Sequence, residues 1–176
     1  SLTGAQEQLI RSVCATGKPV VVVLVAGKPF AIPYIKEKVP AILAQWYAGE
    51  QAGNSIADIL FGKVNPSGKL PFSFPQSTGH LPTYYNYLPT DKGYYKEPGT
   101  YTSPGRDYVF SSPAPLWTFG HGLSYTRFEY VQATTDKTSY QPHDTIRISV
   151  KVKNSGKLAG KEVVQIYIHD LSLIHI

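Results

Sequence analysis

Pro19-Val20-Val21-Val22-Val23-Leu24-Val25-Ala26 decides the fold of the first half of the chain. The run is β-branched and apolar with no polar alternation. It reads as a strand buried on both faces, the signature of a parallel sheet. Before it, Thr3-Gly4-Ala5-Gln6 has the pattern of a capping box. It opens a helix whose Leu9, Ile10, Val13 and Cys14 share one face, with Gly17 as its stop. After the run, Gly27-Lys28-Pro29-Phe30 turns the chain, a short helix covers 34–38, and Ala41-Ile42-Leu43-Ala44-Gln45-Trp46-Tyr47 is a second buried strand. Gly49 and Gly53 flank the start of a third helix with Ile56, Ile59 and Leu60 on its inward face, and Gly62 ends it. Helix, strand, helix, strand, helix is α/β layering with right-handed crossovers, here part of a three-layer α/β sandwich with a mainly parallel sheet.

From Asn65 to Pro115 the periodicity stops, and Tyr, Pro, Gly and Ser dominate. About fifty such residues are too many for a neutral linker in a compact domain. They are expected to form ordered loops with short strands, such as 69–74. After Phe128 the period becomes two: Ile146, Ile148, Val150 and Val152 alternate with polar residues, Asn154-Ser155-Gly156 turns the chain, and Val164, Ile166 and Ile168 repeat the alternation. Strands at 128–132, 145–153 and 162–169 open an Ig-like or fibronectin type III-like β-sandwich, which is incomplete because such a sandwich has about seven strands.

The composition is that of a globular protein: 42% apolar and 16% charged over 176 residues. The net charge of +5 comes from scattered Lys and Arg, which argues against a nucleic-acid partner. No apolar run reaches the ~18 residues of a membrane span. The single cysteine, Cys14, excludes an internal disulfide and a cysteine-cluster metal site and reads as a small buried hydrophobe.

Few motifs carry chemistry. Gly49-Glu50-Gln51-Ala52-Gly53-Asn54-Ser55 follows a strand and opens a helix, where free N–H groups could seat an anion, but it lacks both phosphate-loop glycine patterns and reads as a close-packed turn. Glu50 at a helix start would be held ionised, a poor setting for a general acid. Gly120-His121-Gly122 reads as a Gly-rich turn at a domain junction, since no Asp, Glu or His sits at metal spacing around it. His80, His143 and His169 are isolated. The long loop holds Asp91, Glu97, Arg106 and Asp107 among Tyr84, Tyr85, Tyr87, Tyr94, Tyr95 and Tyr101, with Trp117 beyond. Acids, arginine and aromatic rings together suit a sugar site, in which charged groups bind hydroxyls and rings cover the apolar face. Alternatively the tyrosines only tie loops to the domain surface.

Taken in order, several segments resemble the carboxy-terminal half of family 3 glycoside hydrolases, the β-glucosidase/β-xylosidase group, in its bacterial periplasmic form. They are Lys18-Pro19-Val20-Val21-Val22-Val23-Leu24 with Gly27-Lys28-Pro29; Trp46-Tyr47-Ala48-Gly49-Glu50-Gln51-Ala52-Gly53-Asn54; residues 65–75; Pro104-Gly105-Arg106-Asp107-Tyr108-Val109-Phe110; Phe119-Gly120-His121-Gly122-Leu123-Ser124-Tyr125; and residues 152–168. The resemblance implies a partial α/β sandwich domain over 1–118, a junction over 119–127 and an incomplete fibronectin type III-like domain over 128–170.

It also implies a retaining exo-acting β-glycosidase acting on terminal β-linked sugars of oligosaccharides or glycosides. One carboxylate attacks the anomeric carbon and a second protonates the leaving group. The nucleophile Asp belongs to a TIM barrel upstream of Ser1 and the acid/base Glu to a loop just before it, so no catalytic residue falls in this chain. Two carboxyls about 5 Å apart are needed, and a chain lacking both is expected to be inert alone. Its implied part is to wall the pocket and brace the domains, with Tyr84, Tyr85, Arg106 and Asp107 as pocket-rim candidates. No cofactor or metal is implied, and the implied location is periplasmic or secreted. Leu171-Ser172-Leu173-Ile174-His175-Ile176 resembles the translated end of a transposon-type sequencing adaptor and is expected to be foreign to the protein. The alternative reading is a non-catalytic carbohydrate-binding or adhesive module.

Overall fold

The structure is a computed structural model that describes residues 1–86, 102 and 114–168. Asp91, Glu97, Arg106, Asp107, Tyr87, Tyr94, Tyr95, Tyr101, His169 and the six-residue tail lie outside the described residues. The elements run α1 (Gln6–Cys14), β1 (Val21–Leu24), α2 (Pro33–Lys38), β2 (Ala41–Ala44), α3 (Ala52–Leu60), β3 (Phe128–Thr135) and β4 (Ile148–Asn154). The chain divides into two compact units. One holds the described residues of Ser1–Ile56, Lys69–His121 and Gln165–Ile176; the other holds Ala57–Gly68 and Gly122–Val164.

In the first unit β1 and β2 pair in parallel, Val21 opposite Ala41 through Leu24 opposite Ala44, with α2 as the crossover. Pro33 starts α2, where its fixed φ suits the first turn and its absent N–H costs nothing. Ile32 and Ile35 are fully buried and anchor the core with Val22, Leu24, Val39, Phe74 and Leu116. Each such side chain stabilises the fold by about 1.5–3 kcal/mol relative to exposure.

The expected double burial of β1 is half realised. Val22 and Leu24 are buried, while Val21 and Val25 are exposed. The reason is visible in α1. Ile10 and Cys14, four residues apart, pack on the core, whereas Leu9 and Val13 are turned away and stay exposed. These outward residues and the open side of β1 line a groove of about 980 Å³. Among the described residues no strand pairs with the other edge of β1.

Two terminal signals differ from expectation. Thr3 does not cap α1, since Ala5 holds the N-cap position with no side-chain hydrogen bond. The strand expected at 69–74 is only a loose antiparallel strap. The Leu70 N–H donates to the His121 carbonyl (2.8 Å) and the Gly120 N–H to the Leu70 carbonyl (2.7 Å). The Phe74 N–H donates to the Trp117 carbonyl (2.8 Å) and the Leu116 N–H to the Phe74 carbonyl (2.7 Å). Pro71 and Pro75 follow Leu70 and Phe74 directly and have no N–H to extend the ladder. Gly17 and Gly62 follow α1 and α3 in the left-handed region (φ +72° and +76°) as expected of stops.

In the second unit β3 and β4 are antiparallel, Phe128 opposite Asn154 through Thr135 opposite Ile148, with a bulge between Tyr130 and Gln132. Of the four positions expected to alternate inward, Val150 and Val152 are half-buried between exposed neighbours, while Ile146 and Ile148 are exposed, and the strand covers 148–154 rather than 145–153. Asn65 ties its own segment to this sheet's flanks. Its Oδ1 accepts from Ser124 Oγ (2.9 Å) and the Tyr125 N–H (2.8 Å), and its Nδ2 donates to the Ala159 carbonyl (3.0 Å). The third strand expected at 162–169 is not formed over its described part, 162–168. Alternation alone cannot make a strand without a neighbour to pair with. Gln165 instead donates through Nε2 to the Gly120 carbonyl (2.9 Å) and accepts from the Tyr167 hydroxyl (2.6 Å).

Candidate functional site: an aromatic cluster and its rim

The first unit gathers three sequence segments around one aromatic cluster. β2 ends at Ala44, although the Gln45 N–H still donates to the Leu24 carbonyl (2.9 Å). Trp46 then takes φ +59°, a left-handed conformation that a bulky residue adopts only when its surroundings enforce it. The Trp46 ring meets Phe72 edge-on (5.1 Å, 73°) and lies 6.3 Å from Phe74. Phe74 meets Trp117 edge-on (5.4 Å, 87°), and Trp117 lies parallel to the His121 ring (6.5 Å, 28°). The strap places Phe72 and Phe74 opposite Trp117 and His121, so residues 70–74, residues 116–121 and the end of β2 converge here. Ser73 Oγ accepts from the Phe119 N–H (3.1 Å) and fixes the strap's offset.

Lys36 and His121 border the cluster, with the Ser73 hydroxyl on the strap. Lys36 on α2 lies over Trp117, Nζ 5.5 Å from the ring centroid, and donates to the Leu116 carbonyl. Burial pushes the His121 imidazole below the ordinary histidine value, and the Lys36 and Lys69 charges push the same way. His80 is fully buried. Its Nδ1 accepts from the Gln76 N–H (3.1 Å) and its carbonyl from Thr83 Oγ1, so Nδ1 carries no proton.

The rings pack on one another as part of the core, and none of the residues named here carries a carboxyl group. Among the described carboxylates, Glu7, Glu37, Asp58 and Asp144 are in ion pairs with Arg11, Lys38, Lys63 and Lys137. The Lys38 hydrogen bond lowers the Glu37 carboxyl, and the Tyr140 hydroxyl lowers Asp136, the reverse of what a general acid needs. Among the described residues no group of three His, Cys, Asp or Glu could hold a metal ion, and no helix is long and apolar enough to cross a membrane.

Of the rim candidates, Tyr84 and Tyr85 are both exposed, and Tyr85 lies 4.9 Å from Phe119 and 6.3 Å from Tyr167. Arg106 and Asp107 lie outside the described residues. Glu50 is exposed on the turn before α3. Sequence reasoning missed the buried His80, for which no periodicity speaks, and the parting of Trp46 and Tyr47. Both were expected in a buried strand, yet Tyr47 is 79% exposed. Cys14 is half-buried and free, packed against the core.

Residues 1–125 match the glycosyl hydrolase family 3 C-terminal domain. The chain is 43% identical over 173 residues to a β-xylosidase of Formosa agariphila, which covers 96% of the chain and 22% of that protein. It is 44% identical over 169 residues to a periplasmic β-glucosidase of Salmonella typhimurium, with the same coverage, 96% and 22%. A solved β-glucosidase of Erythrobacter marinus superposes with a TM-score of 0.76 at 43% identity, over 90% of this chain and 20% of that one. A β-glucosidase of Listeria innocua, solved in complex with glucose, superposes with a TM-score of 0.73 at 38% identity, over 90% and 22%. The chain thus spans about a fifth of the length of the relatives it matches.

Proposed function

The chain belongs to the glycosyl hydrolase family 3 C-terminal domain family, and from that premise we propose that it is the carboxy-terminal part of a retaining, exo-acting β-glycosidase. The enzyme removes terminal β-linked glucose or xylose from oligosaccharides and glycosides. The observation that carries this reading is the family match over residues 1–125, joined to relatives named as β-glucosidases and a β-xylosidase of which the chain is one fifth. The nucleophile Asp and the acid/base Glu lie upstream of Ser1, the former on a TIM barrel.

In this reading residues 1–118 belong to a three-layer α/β sandwich domain, 119–127 to a junction, 128–170 to a fibronectin type III-like domain, and 171–176 are foreign. The open groove beside α1 and β1 is where more of the same protein covers Leu9, Val13, Val21 and Val25. An apolar wall of that size is costly to leave in water. Tyr84, Tyr85, Arg106 and Asp107 stand at the pocket rim. The protein works in the periplasm or outside the cell, as the name of the Salmonella relative suggests.

The test is hydrolysis of an aryl β-glucoside and an aryl β-xyloside by the 176-residue chain and by the full-length protein. Turnover by the full-length protein alone is expected. Turnover by the chain alone would overturn the assignment and turn attention to Glu50, Glu97 and Asp107. Inactivity of both on any aryl glycoside would favour a carbohydrate-binding module.

A further inference from the structure

Residues 165–167 form no ladder, and their side-chain bonds converge on Gly120 instead. Gly120 holds φ +78°. A Cβ there would lie 1.8 Å from Gln165 Oε1, 2.7 Å from its Cδ and 2.9 Å from its Nε2. The Gln165 amide thus fills the volume that any other residue at 120 would need. It is fixed at both ends. Nε2 donates to the Gly120 carbonyl (2.9 Å), and Oε1 accepts from the Tyr167 hydroxyl (2.6 Å). Gly120 is itself anchored to the strap, since its N–H donates to the Leu70 carbonyl (2.7 Å). The Tyr167 ring, tethered by its hydroxyl, lies 6.3 Å from the Tyr85 ring, and Phe119 lies 4.9 Å from Tyr85. All of these residues belong to the first unit.

Tyr85 is 61% exposed, so its two ring neighbours leave most of it open. An exposed tyrosine without such neighbours samples several rotamers, and a ring that must be ordered on binding costs affinity. Phe119 and Tyr167 order it beforehand. We propose that Gln165 and Tyr167 are positioning residues for Tyr85: Gln165 holds Tyr167, Tyr167 holds the Tyr85 ring at the pocket rim, and affinity for a β-linked saccharide depends on both without either touching it. The inference rests on the glycosidase reading, with Tyr85 at the rim, and deepens it by assigning two residues that the reading leaves without a role.

The test is a mutant cycle in the full-length protein, with KM and kcat read on a β-linked disaccharide. Tyr85→Ala and Tyr167→Ala are each expected to raise KM about two- to tenfold, the range of one immobilised side chain, with kcat held. Gln165→Leu removes both anchoring bonds but no ring and is expected to raise KM by part of that. In the Tyr85→Ala background, Tyr167→Ala and Gln165→Leu are expected to leave KM unchanged, because residues that act through Tyr85 have nothing left to act on. A contact that only stabilises the fold would lower Tm equally in both backgrounds and would not show this dependence. A KM effect of Tyr167→Ala that multiplies in full with that of Tyr85→Ala would overturn the proposal. So would a rise of KM in Tyr85→Ala with none in Tyr167→Ala, or no rise in Tyr85→Ala itself. Failure of the parent protein to turn over any aryl β-glycoside would instead refute the glycosidase reading, and the proposal would fall with it.

Discussion

Replacing Phe74 by Ala should dismantle the cluster that holds the strap. Phe74 is 2% exposed and has three ring neighbours, Trp117 at 5.4 Å, Phe72 at 6.1 Å and Trp46 at 6.3 Å. A buried Phe→Ala change costs about 3–5 kcal/mol in lost transfer and cavity formation. Lost ring pairs, about 0.5–1.5 kcal/mol each, place this site at the upper end. Against a total stability of about 5–15 kcal/mol the loss is severe. At about 2–4 °C per kcal/mol for a chain this long, Tm should fall by about 8–20 °C. Phe74→Leu keeps most of the apolar volume and loses only ring geometry, so about 1–2 kcal/mol is expected. Tyr84→Ala, at 59% exposed, should stay within about 0.5 kcal/mol. The assay is intrinsic fluorescence during thermal unfolding. The chain has two tryptophans, Trp46 and Trp117, and both face Phe74, so the signal reports on this cluster. A Tm within about 2 °C of the parent for Phe74→Ala would refute the reasoning, because no buried ring with three ring neighbours can be deleted that cheaply.

Two further outcomes follow from the described geometry. His121 should titrate below the ordinary histidine value near 6.5, because burial and then Lys36 and Lys69 disfavour its charged form. The stability it lends is therefore full above that value and is lost as pH falls below it toward the lowered folded value. NMR titration of the imidazole checks this, and Lys36→Met should move the midpoint upward by removing one opposing charge. Asn65→Ala should cost roughly 2–3 kcal/mol, the sum of three hydrogen bonds of about 1 kcal/mol each. Asn65→Asp keeps both acceptor contacts, so amide exchange should show Tyr125 protected in Asp and unprotected in Ala.

The regular elements were legible because their signals are local. A β-branched run gave β1, the short helix expected over 34–38 is α2 less its first residue, and Gly17 and Gly62 gave two stops. What escaped reading depends on neighbours distant in sequence. Thr3 has the side chain of a cap, but Ala5 holds the cap position. Val164, Ile166 and Ile168 alternate well enough for a strand, but pairing is a property of two segments and no ladder forms over 162–168. The convergence of Trp46, Phe72, Phe74 and Trp117 is set by backbone bonds between residues 70–74 and 116–121, which no period announces. His80 is buried for the same reason: a turn from Gln76 wraps it, and no pattern in the surrounding sequence marks it.

The distribution of burial bears on how this chain relates to its longer relatives. Ile32, Ile35, Phe74 and Leu116 lie between the crossover helix and the strap, and that side of the sheet is closed. Leu9, Val13, Val21 and Val25 line the groove between α1 and the unpaired edge of β1, and that side is open. Both sides are equally apolar in sequence, so composition does not explain the difference; the supply of covering elements does. α1 leads directly into β1 as α2 leads directly into β2. A right-handed crossover through α2 placed β2 on one edge of β1, and the same rule applied to α1 would place a preceding parallel strand on the other. A longer chain that carries such a strand should bury Val21 and Val25. Hydrogen exchange of the β1 amides gives the measurement. Protection that rises in the longer protein supports this completion of the sheet, and equal exchange in both would refute it.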